Sequence, residues 1–215
     1  MSTHEDEDHL TELLRWRNSH RFGKYRGTVE AVEEEEDKLG IISVKVPAIW
    51  GKTRIIEKVK PCSPFAGSKH GFVAIPEVGD GVWVEFEAGN TSLPIWTGFW
   101  WANDEMPEPK GKLVRSFITT KGHKLLFDDD KNEVHLLHSS GAEMTMKDSD
   151  ITIKIGDTSI KLTKSDITLQ VGAAATAPSI KITSSDITVQ SSTVGSVKLT
   201  SGGVDIGNGA MKIGA

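Results

Sequence analysis

The sequence predicts an all-β protein in which a small N-terminal barrel precedes a long stack of short strands. The first observation is a tetrapeptide, Ser-Asp-Ile-Thr, that begins at Ser149, Ser165 and Ser185. The second is a related repeat, Ser-(Ile/Val)-Lys-(Leu/Ile)-Thr, that begins at Ser159, Ser179 and Ser196. Each copy alternates apolar and polar residues, which is the period of a strand with one buried face. The third is a set of short apolar runs, separated by turn residues, in the first half of the chain.

Bulk composition makes some function classes less favourable than others. The net charge of −5 argues against a general nucleic-acid binder. The hydrophobic content of 37% is lower than that of a typical globular domain, so the hydrophobic core is expected to be small for the length of the chain. We find no apolar run of membrane-helix length and no signal-peptide core, so synthesis in a host cytoplasm is expected. A single cysteine, Cys62, leaves no intrachain disulfide framework.

Residues 1–21 are predicted to form a helical segment. Acidic residues at 5–8 suit a helix N-terminus, and Arg15 and Arg17 suit its end. Leu10, Leu13 and Leu14 make one apolar stripe, which could pack on its own domain or on a partner.

Residues 22–103 are predicted to form a barrel domain. The predicted strands are Tyr25–Val32, Leu39–Pro47, Lys69–Ile75, Gly81–Glu87 and Leu93–Trp100. About five short strands with long loops fit a closed barrel of the OB type. Trp83 and Trp96 lie in apolar strand patterns and are expected in the barrel core; the acidic run at 33–38 is expected to be a solvated loop.

Residues 104–112 are rich in Pro, Glu and Asp and are predicted to be a linker, and strands continue over residues 113–215. One face of the repeat is apolar, and a single ribbon of strands cannot bury that face. Three ribbons wound about a common axis can bury their apolar faces against one another. We therefore predict a homotrimeric, intertwined triple-stranded β-helix, or β-prism, about 50–60 Å long. The predicted trimer core consists of Ile151, Ile153, Ile160, Leu162, Ile167, Leu169, Ile180, Ile182, Ile187, Val189, Val197, Leu199, Val204 and Ile206.

The sequence contains no candidate active site, because each pattern typical of catalysis or metal binding lacks a required residue. Gly51-Lys52-Thr53 lacks the upstream glycine of a phosphate-binding loop, and residues 128–139 lack the glycine and glutamate of a calcium loop. His135 and His138 should lie on opposite strand faces. We therefore expect no enzyme activity, no cofactor and no metal.

The barrel sequence resembles a known family. Its pattern Pro-x-x-Gly-Asp-x-Val-x-Val-x-Phe followed by Pro-Ile-x-x-Gly is carried here by Pro76, Gly79, Asp80, Val82, Val84, Phe86, Pro94 and Gly98. This pattern is similar to the OB-fold domain of phage baseplate assembly protein V and of the valine-glycine repeat spike of type VI secretion. Residues 122–129 look like the start of that family's β-prism.

The resemblance implies a structural, non-enzymatic central spike in the tail baseplate of a virion or a related contractile injection machine. The barrel would attach to a separate hub protein, with Leu10, Leu13, Leu14, Trp100 and Trp101 as candidate contacts. The prism would pierce the target cell envelope transiently. The tail of the chain has no His-x-His iron motif, so a separate small tip protein could cap it.

Two other functions remain open from the sequence. One is a receptor- or glycan-binding tail fibre module. The other is an OB-fold binder of single-stranded nucleic acid that uses Trp50 with Lys52, Arg54, Lys58 and Lys60. The first needs an exposed aromatic or acidic groove on the prism, and the second needs salt-dependent oligonucleotide binding.

Overall fold

The computed structural model describes residues 3–191, 195–207 and 209–214. The chain divides into two compact units, residues 1–106 and residues 107–215. We call them the barrel unit and the strand unit. The division falls inside the segment that the sequence predicts to be a linker.

The barrel unit begins with helix α1, Thr3–Ser19. The described side chains from residue 7 through residue 19 are all exposed. The helix is tied to the barrel at its C-terminal end, where Arg21 N–H donates to Gly89 O (2.7 Å) and Thr91 N–H donates to Ser19 O (3.3 Å). No helix in the described part of the chain is long and apolar enough to cross a membrane.

Five strands close into a barrel in the order β1-β2-β3-β7-β6. Neighbouring strands are antiparallel except β3 and β7, which are parallel. The strands of this unit, with the short helix α2 at Pro47–Trp50, are β1 Tyr25–Val32, β2 Ile42–Lys45, β3 Ile55–Pro61, β4 Ala66–Gly67, β5 His70–Gly71, β6 Gly81–Phe86 and β7 Pro94–Phe99.

The barrel core follows from strict alternation along its strands. In β6 the side chains of Val82, Val84 and Phe86 are buried while the residues between them are not. Trp96 is 6% exposed, and its indole N–H donates to Gly40 O at 2.8 Å, so the polar end of this buried ring is satisfied. The prediction that Trp96 lies in the core is confirmed.

Two predictions for this unit are wrong. The segment Lys69–Ile75 is not a barrel strand: β4 and β5 form only a two-residue hairpin, and β3 takes the barrel position instead. The sequence did not predict β3, because its apolar and polar residues do not alternate regularly. Lys58 has a positive φ of 59°, and this irregularity interrupts the alternation between Ile56 and Val59.

Trp83 is not a core residue. It lies one position out of phase with the buried side chains of β6, so it points outward and is half-buried. The Arg26 guanidinium lies 5.6 Å from the centre of its ring, a cation–π contact on the barrel surface.

The strand unit is one twelve-stranded sheet in chain order. Each strand pairs antiparallel with the next, so the sheet is a continuous meander. At about 4.8 Å per strand, its first and last strands lie about 50 Å apart. Its strands are β8 Val114–Ile118, β9 Lys124–Asp128, β10 Glu133–Leu137, β11 Glu143–Met146, β12 Asp150–Ile155, β13 Thr158–Thr163, β14 Asp166–Val171, β15 Ser179–Thr183, β16 Asp186–Ser191, β17 Gly195–Thr200, β18 Gly203–Ile206 and β19 Met211–Ile213.

Candidate functional site: the apolar face of the strand unit

The register of the sheet aligns apolar side chains into two continuous ladders on one face, which we call the apolar face. The first ladder is Phe127, Val134, Met146, Ile151, Leu162, Ile167, Ile182, Ile187, Leu199, Val204 and Ile213. The second is Phe117, Leu125, Leu136, Met144, Ile153, Ile160, Leu169, Ile180, Val189, Val197, Ile206 and Met211. All fourteen residues of the predicted trimer core lie on these ladders.

The apolar face has no cover within the described part of the strand unit. Most of its members are exposed, from 37% at Ile182 to 58% at Leu136, and the others are half-buried. In contrast, half-buried polar residues such as Thr168 and Thr188 occupy the opposite face. A contiguous apolar surface that runs the length of a twelve-stranded sheet marks an interaction surface, because a free protein rarely exposes one.

The opposite face carries a regular polar pattern that explains the second repeat. Thr152, Lys161, Thr168, Lys181 and Thr188 align across successive strands. The alternation continues with Lys198. Lys161 and Lys181 therefore each stand between two threonines, whereas Lys198 stands between Thr188 and Asp205. Each of the three lysines reaches diagonally toward an aspartate of the Ser-Asp-Ile-Thr motif.

These diagonal contacts are ion pairs, and they recur at the repeat spacing. Lys161 Nζ lies 3.5 Å from Asp150 Oδ2, and Lys181 Nζ lies 3.2 Å from Asp166 Oδ2. The third pair joins Lys198 Nζ to Asp186 Oδ2 at 3.1 Å. The lysines are about half exposed and the aspartate side chains are only 14–19% exposed, so each pair contributes modestly to stability. Their value is in register, since a one-residue slip would move every lysine to the apolar face.

The aspartates also organise the turns between strands. Thr163 Oγ1 accepts the Asp166 N–H at 3.0 Å, and the same bond joins Thr183 to Asp186 at 3.0 Å. The Lys181 ammonium, and then the Thr163 hydroxyl, lower the pKa of Asp166 below its ordinary value. The Ser149 hydroxyl is the main cause of the lowered pKa of Asp150, followed by Thr152 and Lys161.

The residues of the barrel motif form a tight turn and part of the core. Pro76 is fully buried, and Gly79 has a φ of +97°, which a side chain would strain. Asp80 Oδ2 accepts the Glu77 N–H at 2.8 Å, and Asp80 O accepts the Val29 N–H at 3.0 Å, so the turn is joined to β1. Pro94 is buried at the start of β7, and Gly98 has a φ of +148°. The motif is therefore a structural signature of the barrel.

The predicted hub contacts divide into two groups. Leu10, Leu13 and Leu14 are 59%, 63% and 48% exposed on α1, and Trp101 is 59% exposed, so these side chains are free to meet a partner. Trp100 is half-buried, and its indole N–H lies 3.3 Å from Gly27 O and 3.2 Å from Val82 O.

The structure shows an anchor for α1 that is not predicted from the sequence. The rings of Trp16 and His20 stack with centroids 4.6 Å apart, and Phe22 lies 5.9 Å from Trp16. A Cβ at Gly89 would lie 2.6 Å from the Phe22 ring, so the glycine lets the stack sit against the barrel loop. The stripe of α1 thus stays clear of the barrel while the end of the helix is held.

Two of the residues considered for nucleic-acid binding, Trp50 and Arg54, make contacts within the barrel unit. Trp50 packs edge-on against Phe86, with centroids 5.7 Å apart. The Arg54 guanidinium lies 5.8 Å from the centre of the Trp50 ring. A ring held this way is a poor stacking platform for bases.

The described residues contain no group of three or more His, Cys, Asp and Glu side chains that could hold a metal ion. The two histidines considered from the sequence have local partners. His135 Nε2 lies 2.9 Å from a Glu133 carboxylate oxygen, and His138 Nδ1 lies 2.7 Å from Ser140 Oγ.

The closed five-stranded barrel is of the OB type, and the strand unit that follows it carries an apolar face suited to assembly with other chains. Residues 25–101 match the family model of the type VI secretion system/phage-baseplate injector OB domain. This segment, just over a third of the chain, is therefore an OB domain of that injector family, which confirms the resemblance. No curated protein matches the chain. The match supports a structural role in an injector baseplate.

Proposed function

We propose that the protein is the non-enzymatic central spike of a contractile injector, formed by three copies of the chain. The observation that carries this proposal is the apolar face, in which one ladder extends over β9–β19 and the other over β8–β19, with no cover within the described part of the strand unit. Three such faces turned toward one axis would bury all three. The assembly would have a mass near 70 kDa, three times the 23.4 kDa of the chain.

The mechanical consequence of this assembly is stiffness. Each strand would be bonded to its neighbours in the sheet and packed against two other chains, so bending would break many contacts at once. The ion pairs of the opposite face would remain at the surface and hold the register. Such a rod would transmit the force of a contracting sheath to the target envelope without any catalytic step.

In this proposal the barrel unit attaches the spike to a separate hub protein, through Leu10, Leu13, Leu14 and Trp101. These exposed apolar side chains belong to the barrel unit and are not used by the barrel core. A small tip protein could cover the end that carries β19.

The experiment that tests the proposal locates the chain in assembled particles. A peptide epitope inserted between Ala174 and Ala175, in the loop that joins β14 and β15, should be labelled by antibody at the distal centre of the baseplate. Particles that carry the epitope in the exposed acidic run at 34–37 provide a matched control for the barrel unit. Labelling along fibres at the baseplate periphery would contradict the spike and favour the fibre module.

A further inference from the structure

Two histidine rings meet where the first two hairpins of the strand unit turn. His123 directly precedes β9, and His138 directly follows β10. The register pairs Leu137 with Lys124, so one step further along the two strands it places His123 opposite His138. The ring centres are 4.3 Å apart, and the ring planes are inclined by 48°. The pair thus joins the β8–β9 turn to the β10–β11 turn.

Each ring accepts a hydrogen bond from the backbone of the β10–β11 turn. Ser139 N–H donates to His123 Nδ1 at 3.2 Å, and Ser140 N–H donates to His138 Nδ1 at 3.1 Å. A backbone N–H can only donate, so both Nδ1 atoms must carry a lone pair. Both rings are therefore neutral in this arrangement, with their protons on Nε2. An imidazolium has no acceptor nitrogen and can make neither bond.

The backbone of each histidine is fixed within its own hairpin. His123 N–H donates to Thr119 Oγ1 at 3.1 Å, and Thr119 N–H donates to His123 O at 3.0 Å. In the second hairpin His138 N–H donates to Ala142 O at 2.8 Å, and Gly141 N–H donates to His138 O at 2.9 Å. The bond from the second turn to the His123 ring therefore adds a link between the hairpins beyond the β9–β10 ladder.

The immediate surroundings of the pair are unfavourable for a positive charge. By alternation both rings lie on the side of the apolar face, next to the exposed side chains of Leu125 and Leu136. His123 is half-buried and His138 is exposed. A proton on one ring would place a cation beside the other, and protons on both would place like charges about 4 Å apart, which repel.

The charged groups of the surrounding elements do not compensate a protonated ring. They are Lys121 in the β8–β9 turn, Lys124 on β9, His135 on β10, Glu143 on β11, and Glu108 and Lys110 in the segment before β8. By alternation Lys124, His135 and Glu143 belong to the opposite face of the sheet. Glu108 Oε1 lies 2.9 Å from Lys110 Nζ, so it is already paired. Within the described residues, neither ring is ion-paired with a carboxylate.

We propose that the His123–His138 pair is a pH-sensitive latch, which holds the β10–β11 turn against the β8–β9 turn and releases it on acidification. A proton on His123 removes the acceptor of Ser139 N–H, and a proton on His138 removes that of Ser140 N–H. Histidine is the side chain that ordinarily changes charge between pH 5 and 8. The latch is therefore closed when both rings are neutral and opens as the pH falls toward 5. It lies within one chain, so it does not depend on the trimer of the proposed function.

Hydrogen exchange of the full chain, resolved by residue with NMR at pH 7.5 and pH 5, tests the latch. After correction for the intrinsic effect of pH on exchange, protection of the Ser139 and Ser140 amides should fall about tenfold, the effect of roughly one net hydrogen bond. The Asp166 amide, which donates to Thr163 Oγ1 at 3.0 Å, is the internal control and should keep its protection. The Lys181 ammonium lowers the pKa of the Asp166 carboxyl, so that group stays ionised at both pH values.

Two variants separate proton uptake from other effects of acid. Asparagine has a side-chain oxygen that can accept a backbone N–H, and it does not titrate. In the double variant with His123→Asn and His138→Asn, protection of the two serine amides should change less than twofold between the two pH values. His138→Arg supplies a permanent cation without an acceptor, so the Ser140 amide should be poorly protected at both. His135 is unchanged in these variants, so any effect of its own titration would persist in them.

The ring nitrogens of the wild-type chain give a second measurement that needs no variant. NMR of the histidine side chains at pH 7.5 should place both protons on Nε2. A proton on Nδ1 of either ring, serine protection in the wild type that does not change with pH, or an equal fall in the double asparagine variant overturns the latch. A fall in protection that the asparagines abolish supports it.

Discussion

Replacing Val189 by aspartate tests whether the apolar face is the core of an assembly. Val189 lies in the second ladder between Ile180 and Val197. Val189 is 41% exposed in the single chain, so in a monomer the carboxylate of an aspartate there would remain hydrated and would lower the stability of the fold only slightly. In a threefold prism the same carboxylate would be enclosed.

The expected cost in the assembly is large. Burying an unpaired ion costs several kcal/mol after relaxation, and the lost packing of a valine adds about 1.5–3 kcal/mol. Each prism would contain three copies of the change, so the total is on the order of 10 kcal/mol or more, comparable to the whole stability of a typical domain. The Val189→Asp variant should therefore fail to form the trimer.

The neighbouring residue supplies the matched control. Thr188 lies on the opposite face, where its register partners are Lys181 and Lys198. A Thr188→Asp carboxylate would meet two cations, each worth about 0.2–1 kcal/mol, and should leave the trimer intact. Light scattering after size-exclusion chromatography measures both variants. A trimeric Val189→Asp protein, or equal loss of assembly in both, would refute the assignment of faces.

Other predictions concern each unit separately. Trp96→Phe leaves the buried Gly40 carbonyl without its donor and should lower the free energy of unfolding of the barrel unit by about 1–3 kcal/mol, measured by urea denaturation followed through tryptophan fluorescence. Because the pKa of Asp166 is lowered below its ordinary 3.8, its pairing with Lys181 stabilises the fold above that pH and is lost as the pH falls through the folded pKa. The thermal midpoint of the strand unit should accordingly drop on acidification below that value. Asp166→Asn should weaken this drop, and an unchanged acid profile would show that the pair contributes nothing.

The strand unit could be predicted from the sequence because its determinants are local. Alternation with a period of two assigned residues such as Ile167 and Leu169 to one face, and the register of the sheet then joined them into ladders. The diagonal pairing of Lys181 with Asp166 was not predicted, because it depends on the stagger between strands.

Two predictions for the barrel unit were wrong, one because of a backbone irregularity and the other because a residue was assigned to the wrong face of its strand. The bulge at Lys58 removed the alternation that would have identified β3. Trp83 was assigned to the core by its hydrophobicity, although its position between Val82 and Val84 places it outside.

The solution mass of the full chain tests the central claim most directly. We expect light scattering or sedimentation to give a species near 70 kDa, three times 23.4 kDa, across a wide range of protein concentration. A stable monomer at 23.4 kDa would contradict the account, because the apolar face would then have to remain in water.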